Sequence, residues 1–415
     1  MKFNEFGFDP RLVEGIEAIG YETATPIQEQ AIPIILAGND LIGSAQTGTG
    51  KTAAFLLPII NKIIAHKEDE HIKALVIVPT RELAVQIDQQ MEGLSYYTPV
   101  SSIAVYGGTD GASFNKEKQA LSEGADVVIC TPGRMIAHLN MGYVQVKQLE
   151  YLILDEADRM LDMGFYDDIL KIISYLPKKR QNLLFAATMP YKIGELARKI
   201  LHNPKEVTLA LSKPAEKIKQ LAYVVYDEQK IPFIKQLLKE KKLRSVLVFC
   251  STKSSTKLLS AALKKTGLSV EEIHSDLEQV TREKVLQRFK SRDLSILVAT
   301  DILSRGIDVE DIDLVLNFDA PNDGEDYIHR IGRTARAAAE GLAITFINLK
   351  DQGKFAEIEK LLGYAVEKAI LPAEFGETPT YNPREHRDAG RKGGFRRKGA
   401  GKGGANRTPK GRAHK

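Results

Sequence analysis

Short apolar runs recur through the first half of the chain, at Leu41-Ile42-Gly43, Ala74 to Val78, Ile103 to Tyr106, Val127 to Cys130, Leu152 to Leu154 and Leu183 to Phe185. Segments of helical period separate them. Continuous apolar runs alternating with helices predict a parallel, doubly wound α/β sheet buried on both faces. The alternation resumes at Val246 to Phe249, Ser295 to Val298, Leu314 to Phe318 and Ala343 to Ile347, between helical segments such as Ile231 to Lys241 and Thr256 to Lys265. The stretch between the halves is poor in apolar residues and contains Lys213-Pro214-Ala215-Glu216, so it reads as a linker. The expected organisation is two tandem α/β domains, 1–208 and 221–370, with a linker at 209–220 and a Gly-rich tail at 371–415.

Composition agrees with two cores. A chain of 415 residues with 43% hydrophobic content buries more than one. Cys130 and Cys250 each close an apolar run and read as buried strand-end thiols, which suits a reducing compartment. The first residues, Met1-Lys2-Phe3-Asn4-Glu5, hold no apolar signal core, and no run approaches the ~18 apolar residues of a spanning helix. The expected location is cytoplasmic, with no membrane partner. Charge is uneven: the formal +4 divides into +10 over residues 381–415 and −6 over the rest. Such a Gly-rich basic tail cannot bury enough surface to offset chain ordering, so it is expected to be disordered, and a polyanion is its expected partner. A solubilising role without a specific partner is the alternative.

Candidate chemistry centres on Ala45-Gln46-Thr47-Gly48-Thr49-Gly50-Lys51-Thr52, which ends the first apolar run and opens an amphipathic helix. This is the pattern of a phosphate-binding loop, with Ala45 where the strict form has Gly. Gly48 and Gly50 let backbone N–H groups turn inward, Lys51 reaches the β- and γ-phosphates, and the Thr52 hydroxyl suits Mg²⁺. A nucleoside triphosphate is the working ligand. Upstream, Gln28 could pair with an adenine edge while Phe3 or Tyr21 covers the ring, although a helix-capping segment explains the same residues.

In a doubly wound sheet the ligand lies at the carboxyl ends of the strands. Those ends carry Pro79-Thr80-Arg81-Glu82, Gly107-Gly108, Thr131-Pro132-Gly133-Arg134, Asp155-Glu156-Ala157-Asp158 and Ala186-Ala187-Thr188. Asp155 stands where an acidic residue completes a Mg²⁺ shell begun by Thr52, and Glu156 can take a proton from an attacking water. In the second half, Arg330, Arg333 and Arg336 recur at a spacing of three, which puts them on one side of a helical turn.

Asp155 to Asp158, the phosphate loop, the Gln28 segment, Pro79 to Ala84 and Thr131 to Arg134 together resemble the DEAD-box RNA helicases. The resemblance continues through Ala299-Thr300-Asp301 to Asp308 and His329 to Arg336. It implies two RecA-like domains, ATP and Mg²⁺ as cofactors, and RNA-stimulated hydrolysis coupled to local strand separation. It further implies that Arg333 and Arg336 act as arginine fingers, that His329 helps place the water, and that Gly306 and Asp308 meet the nucleotide. RNA would be held, without regard to sequence, by Thr80, Arg81, Gly107, Gly108, Thr131, Arg134, Arg282 and Thr300. Asp158, Ala186 and Thr188 would couple hydrolysis to unwinding. Ala186 replaces a Ser usual in the family, so Asp158 is expected to lack one hydrogen bond. The run from Asp155 to Phe165 and the short basic tail look most like the bacterial RhlE-type branch. A monomer is expected, with ribosomal or RNA-decay proteins as candidate partners. The rival expectation is a nucleotide-dependent RNA clamp or scaffold with little productive unwinding.

Overall fold

A computed structural model describes residues 1–45, 48–65, 71–108, 111–209, 218–240, 243–300, 312–334 and 341–383, the side chain of residue 325 excepted. The first sheet is built from β1 (Leu41–Ser44), β2 (Ala74–Ile77), β3 (Ser102–Val105), β4 (Val127–Cys130), β5 (Tyr151–Leu154), β6 (Gln181–Ala186) and β7 (Lys205–Thr208). Their order is β3-β4-β2-β5-β6-β1-β7, and every pairing is parallel. Strand alternation divides the apolar residues between two faces: Ala74, Val76, Ile153 and Phe185 join one core, whereas Leu75, Ile77, Leu154 and Ala186 join the other. Burial on both faces is why these strands read as unbroken apolar runs.

The second sheet repeats the plan. It contains β8 (Ile218–Val224), β9 (Val246–Cys250), β10 (Val270–Ile273), β11 (Ile296–Thr300), β12 (Leu314–Asn317), β13 (Gly341–Ile347) and β14 (Glu367–Lys368), in the order β10-β11-β9-β12-β13-β8-β14. All pairings are again parallel. Cys130 and Cys250 are buried free thiols at strand ends, and burial raises the pKa of both. No helix among the described residues is long and apolar enough to cross a membrane.

Two boundaries differ from expectation. Ile218, inside the stretch read as linker, already begins β8 and pairs with Gly341. Residues 371–383, assigned to the tail, are folded onto the second domain. Leu371 is buried, and Phe375 meets Phe233 edge-on at 5.4 Å. The Tyr381 hydroxyl donates to Glu359 (2.7 Å), and the Asn382 N–H donates to Gln352 (2.6 Å). Few of these residues form a periodic pattern, so their packing leaves no signal in the sequence. The rest of the expected disordered tail, 384–415, lies outside the described residues.

Candidate active site

The loop between β1 and the helix Lys51–Ala65 is held from outside by the segment that precedes β1. Thr25 Oγ1 donates to the Thr49 carbonyl (2.8 Å), and Gln28 Nε2 donates to the Gly50 carbonyl (3.0 Å). Gln28 Oε1 meanwhile accepts from the Thr25 N–H (2.8 Å), half of a capping box on the helix Pro26–Leu36. Gly50 has φ +90°, a conformation that favours glycine, and a Cβ there would lie 2.4 Å from Gln28 Nε2 and displace that amide from its bond. Lys51 is buried with its ammonium on the Ala45 carbonyl (2.6 Å), and Thr52 is half-buried in the first helical turn. Gln46 and Thr47 lie outside the described residues; Gly48 has φ +83°.

Phe3 corrects one expectation: it is buried in the first core, 6.1 Å from Tyr21 in a near-parallel stack and 6.1 Å from Phe6. Tyr21 in turn accepts at its hydroxyl from Gln90. These rings pack the N-terminal segment against the domain.

Asp155 follows β5 directly, and Glu156 then takes a left-handed conformation (φ 49°, ψ 48°) rare for a non-glycine residue. That turn presents two adjacent carboxylates beside Lys51. Burial pushes Asp155 up to about 6, against the pull of Lys51. Burial opposes ionisation of Glu156 too, but Arg159, Lys51 and His329 hold it below its ordinary value. Arg159 Nη1 donates to Glu156 Oε2 at 3.0 Å from one helical turn away. Sequence reasoning misses Arg159, although its spacing of three from Glu156 is a usable signal.

Asp158 is better satisfied than expected. Its Oδ2 accepts from the N–H groups of Ala187 (3.0 Å) and Thr188 (2.9 Å), and its Oδ1 from the Arg159 N–H. The Ala186 side chain is buried in the second core, and its carbonyl accepts from the Ala45 N–H. Backbone groups just after β6 thus tie this segment to Asp158 whichever side chain stands at position 186.

The remaining first-domain residues share one rim. Thr80 caps the helix Arg81–Ser95, accepting from the Leu83 N–H. Arg81 lies over the Gly107-Gly108 turn, where a Cβ on Gly108 would fall 2.1 Å from its guanidinium. Thr131 caps the helix Pro132–Asn140 by position but makes no side-chain cap bond. Arg134 donates from Nε to buried Glu117 (2.7 Å) and stacks over Phe114 at 4.6 Å. His138 Nε2 shares the Glu117 carboxylate (2.8 Å).

The second domain meets this rim. Arg282 donates to Glu82 (3.0 Å) and to the Leu277 carbonyl (3.2 Å), with the two charged side chains only 9% and 8% exposed. Arg81 reaches Gln279 at 3.5 Å. Arg282 thus joins the halves instead of standing open to a ligand, a role its sequence position alone does not reveal. Thr300 is buried at the end of β11. His329 lies in the last turn of the helix Gly324–Ile331. The expected shared face of arginines is corrected: Arg330 is buried, donating to Asn317 (2.8 Å) and covering the Phe249 ring, whereas Arg333 is half-buried in a separate 3-10 turn. Arg336, Gly306 and Asp308 lie outside the described residues.

Comparison with known proteins matches residues 25–196 to the DEAD/DEAH box helicase family and residues 229–338 to the helicase conserved C-terminal domain. The ATP-dependent RNA helicase CshA of Listeria monocytogenes is 43% identical over 360 residues, 86% of this chain and 68% of that protein. This chain belongs to the DEAD-box helicases. Among solved structures, S. cerevisiae Dbp5 bound to RNA and ADP BeF3 has a TM-score of 0.79 at 30% identity, covering 89% of this chain and 95% of that one. A DEAD box protein from Methanococcus jannaschii is 38% identical and covers 89% and 99%, yet scores 0.51. Like Dbp5, this DEAD-box chain carries two RecA-like domains in tandem.

Proposed function

We infer that this chain is an ATP-dependent RNA helicase whose hydrolytic site is completed only when its two domains meet. One observation carries the reading: Arg282 of the second domain donates to Glu82 of the first at 3.0 Å, so the halves meet at the sheet end that also carries Lys51, Asp155 and Glu156. Lys51 would take the β- and γ-phosphates in exchange for the Ala45 carbonyl, and Glu156, kept ionised by Arg159, would accept the proton of the attacking water. Thr52 and Asp155 would hold Mg²⁺. Buried Asp155, uncompensated enough to sit near 6, fits a cation at this position. When bound, the ion neutralises charge developing on the phosphates. No cage of three or more His, Cys, Asp or Glu side chains occurs among the described residues, and Mg²⁺ held by a carboxylate and substrate phosphates needs none. Arg333 and Arg336 would face the γ-phosphate in the transition state. Gly306, Asp308 and Gln28 would meet the nucleotide, with one donor and one lone pair of the Gln28 amide still uncommitted.

RNA is the polymer substrate, and we place it along Thr80, Arg81, Gly107, Gly108, Thr131, Arg134 and Thr300, with hydroxyls and guanidinium groups as phosphate readers. Such groups do not read bases, which supports sequence independence. The match to Dbp5 with RNA and ADP BeF3 despite lower identity than the M. jannaschii protein supports a closed arrangement in which both substrates favour the same state. The Arg159-held Glu156 favours turnover over a passive clamp.

For the branch, Asp155 to Phe165 supports an RhlE-type reading, while relatives bear the CshA name. A monomeric cytoplasmic protein with ribosomal or RNA-decay partners is the proposed setting. The test is phosphate release with RNA and with DNA of equal sequence. RNA should stimulate the wild type, and Lys51→Ala or Glu156→Gln should abolish turnover, while Glu156→Gln still retains RNA with ATP. Wild-type turnover by Glu156→Gln would refute the assigned base, and equal stimulation by DNA would refute the RNA preference.

A further inference from the structure

The first sheet has a second concave site at its opposite end. A cavity of about 690 Å³ opens beside Tyr151 and Gln181, the first residues of β5 and β6, and is walled by Lys62, Lys147, Lys179 and Arg180. Because the sheet is parallel and β5 is four residues long, this end lies roughly 13 Å from Asp155. The helix Lys51–Ala65 carries Lys51 at the phosphate loop and Lys62 here, about 16 Å along its axis.

The wall has more charge than its neighbours neutralise. None of the four cations forms an ion pair with a carboxylate among the described residues. Glu150 is the one acidic residue lining the cavity, and its carboxylate stands 4.0 Å from His71. Arg180 commits Nε to Asn182 (2.8 Å) and Nη1 to the Pro177 carbonyl (2.5 Å), which fixes the guanidinium and leaves Nη2 uncommitted. Lys62 lies over the Tyr151 ring at 5.8 Å. Lys147 and Lys179 are exposed at the mouth. Burial lowers the pKa of Lys62 and of Arg180, against the weaker opposing pull of Glu150 on the first and of Asp40 on the second.

We propose that this cavity is a second anion site, separate from the nucleotide cleft, that takes a multiply charged phosphate group. Two half-buried cations fixed in the wall and two mobile ones at the mouth suit several oxygens spread over adjacent phosphates better than one carboxylate. The volume accommodates a ligand of nucleotide size. The phosphate can belong to a free polyphosphate compound or to an RNA strand leaving the cleft.

Lysine acetylation read by mass spectrometry resolves the site in the full chain, basic tail included. Inorganic tripolyphosphate, added without divalent metal, should protect Lys147 and Lys179 from the reagent, while exposed Lys171 and Lys192 remain reactive. In Lys179→Glu the concentration that half-protects Lys147 should rise about tenfold. ATP hydrolysis by this variant in the absence of RNA should be unchanged, which separates a failure here from a failure of the nucleotide site. Short RNA that displaces tripolyphosphate identifies a strand as the source, and RNA that does not identifies a free polyphosphate compound. Protection spread equally over all four lysines, or half-protection unmoved by Lys179→Glu, overturns the site. Equal protection by poly-glutamate overturns the phosphate and points to an acidic peptide.

Discussion

At Gly50, one missing methyl group keeps three residues in place. Alanine there would have to adopt φ +90° and displace Gln28 Nε2 from 2.4 Å. Strain of this kind costs about 1–3 kcal/mol, and 1 kcal/mol moves the melting temperature of a domain this size by roughly 2–4 °C. Gly50→Ala should thus lower the melting temperature by a few degrees and raise KM for ATP more than it lowers the stability of the nucleotide-free chain. Equal KM values would show that the loop relaxes around the methyl. Gln28→Ala separates two roles: loss of the capping and loop bonds should weaken ATP and GTP alike, whereas base reading adds a loss for ATP alone. Ala186→Ser should leave duplex dissociated per phosphate released unchanged, because Asp158 already accepts from Ala187 and Thr188; a higher ratio would show that the hydroxyl does contribute. Residue types with evident chemistry, Lys51, Asp155 and Glu156, were legible in the sequence. Their partners were less so. Gln28 and Gly50 are 22 positions apart, and nothing in spacing announces that their groups touch.

Among elements, the central strands were legible because both faces are covered, which forces an unbroken apolar run. The edges were not. β7 buries only Val207 and β10 only its two terminal residues, so neither run stands out, and β8 starts within a polar stretch. The contact that joins the two domains is equally silent in sequence: the helix Gln279–Lys290 delivers Arg282 to Glu82, 200 positions away. If this pair ties the domains in the active state, Glu82→Gln and Arg282→Gln should each reduce RNA-stimulated turnover. The double variant should be scarcely worse than either, with a coupling of about 1–3 kcal/mol. Melting temperatures should hardly move, since domain opening returns either side chain to water. Multiplying effects would show that the pair does not couple. A larger loss in Arg282→Gln than in Glu82→Gln would measure a direct contact of Arg282 with RNA.

Over the whole molecule, the described fold runs past the expected boundary at residue 371 and reaches the start of the basic excess. The basic excess begins at Arg384, whereas the folded chain continues through Leu371, Phe375 and Tyr381. Two truncations follow from this. Ending the chain after residue 383 removes +10 and leaves a body of −6, so long-range attraction for a polyanion should fall while packing stays intact. RNA affinity at low salt should drop, and the log-log salt slope should flatten by roughly 0.7 for each single-strand phosphate that the tail no longer neutralises. Melting temperature and basal ATP hydrolysis should hold. Ending it after residue 370 also removes Leu371, Phe375 and the Tyr381–Glu359 bond. Fully burying a side chain such as Leu371 is worth about 1.5–3 kcal/mol, and half-buried Phe375 adds less, so this shorter chain should unfold several degrees lower. Comparing the two separates electrostatic loss from loss of fold. RNA affinity and salt slope unchanged on cutting after 383 would restrict the tail to solubility or protein contacts, and equal melting temperatures would mean that residues 371–383 add nothing to the second domain.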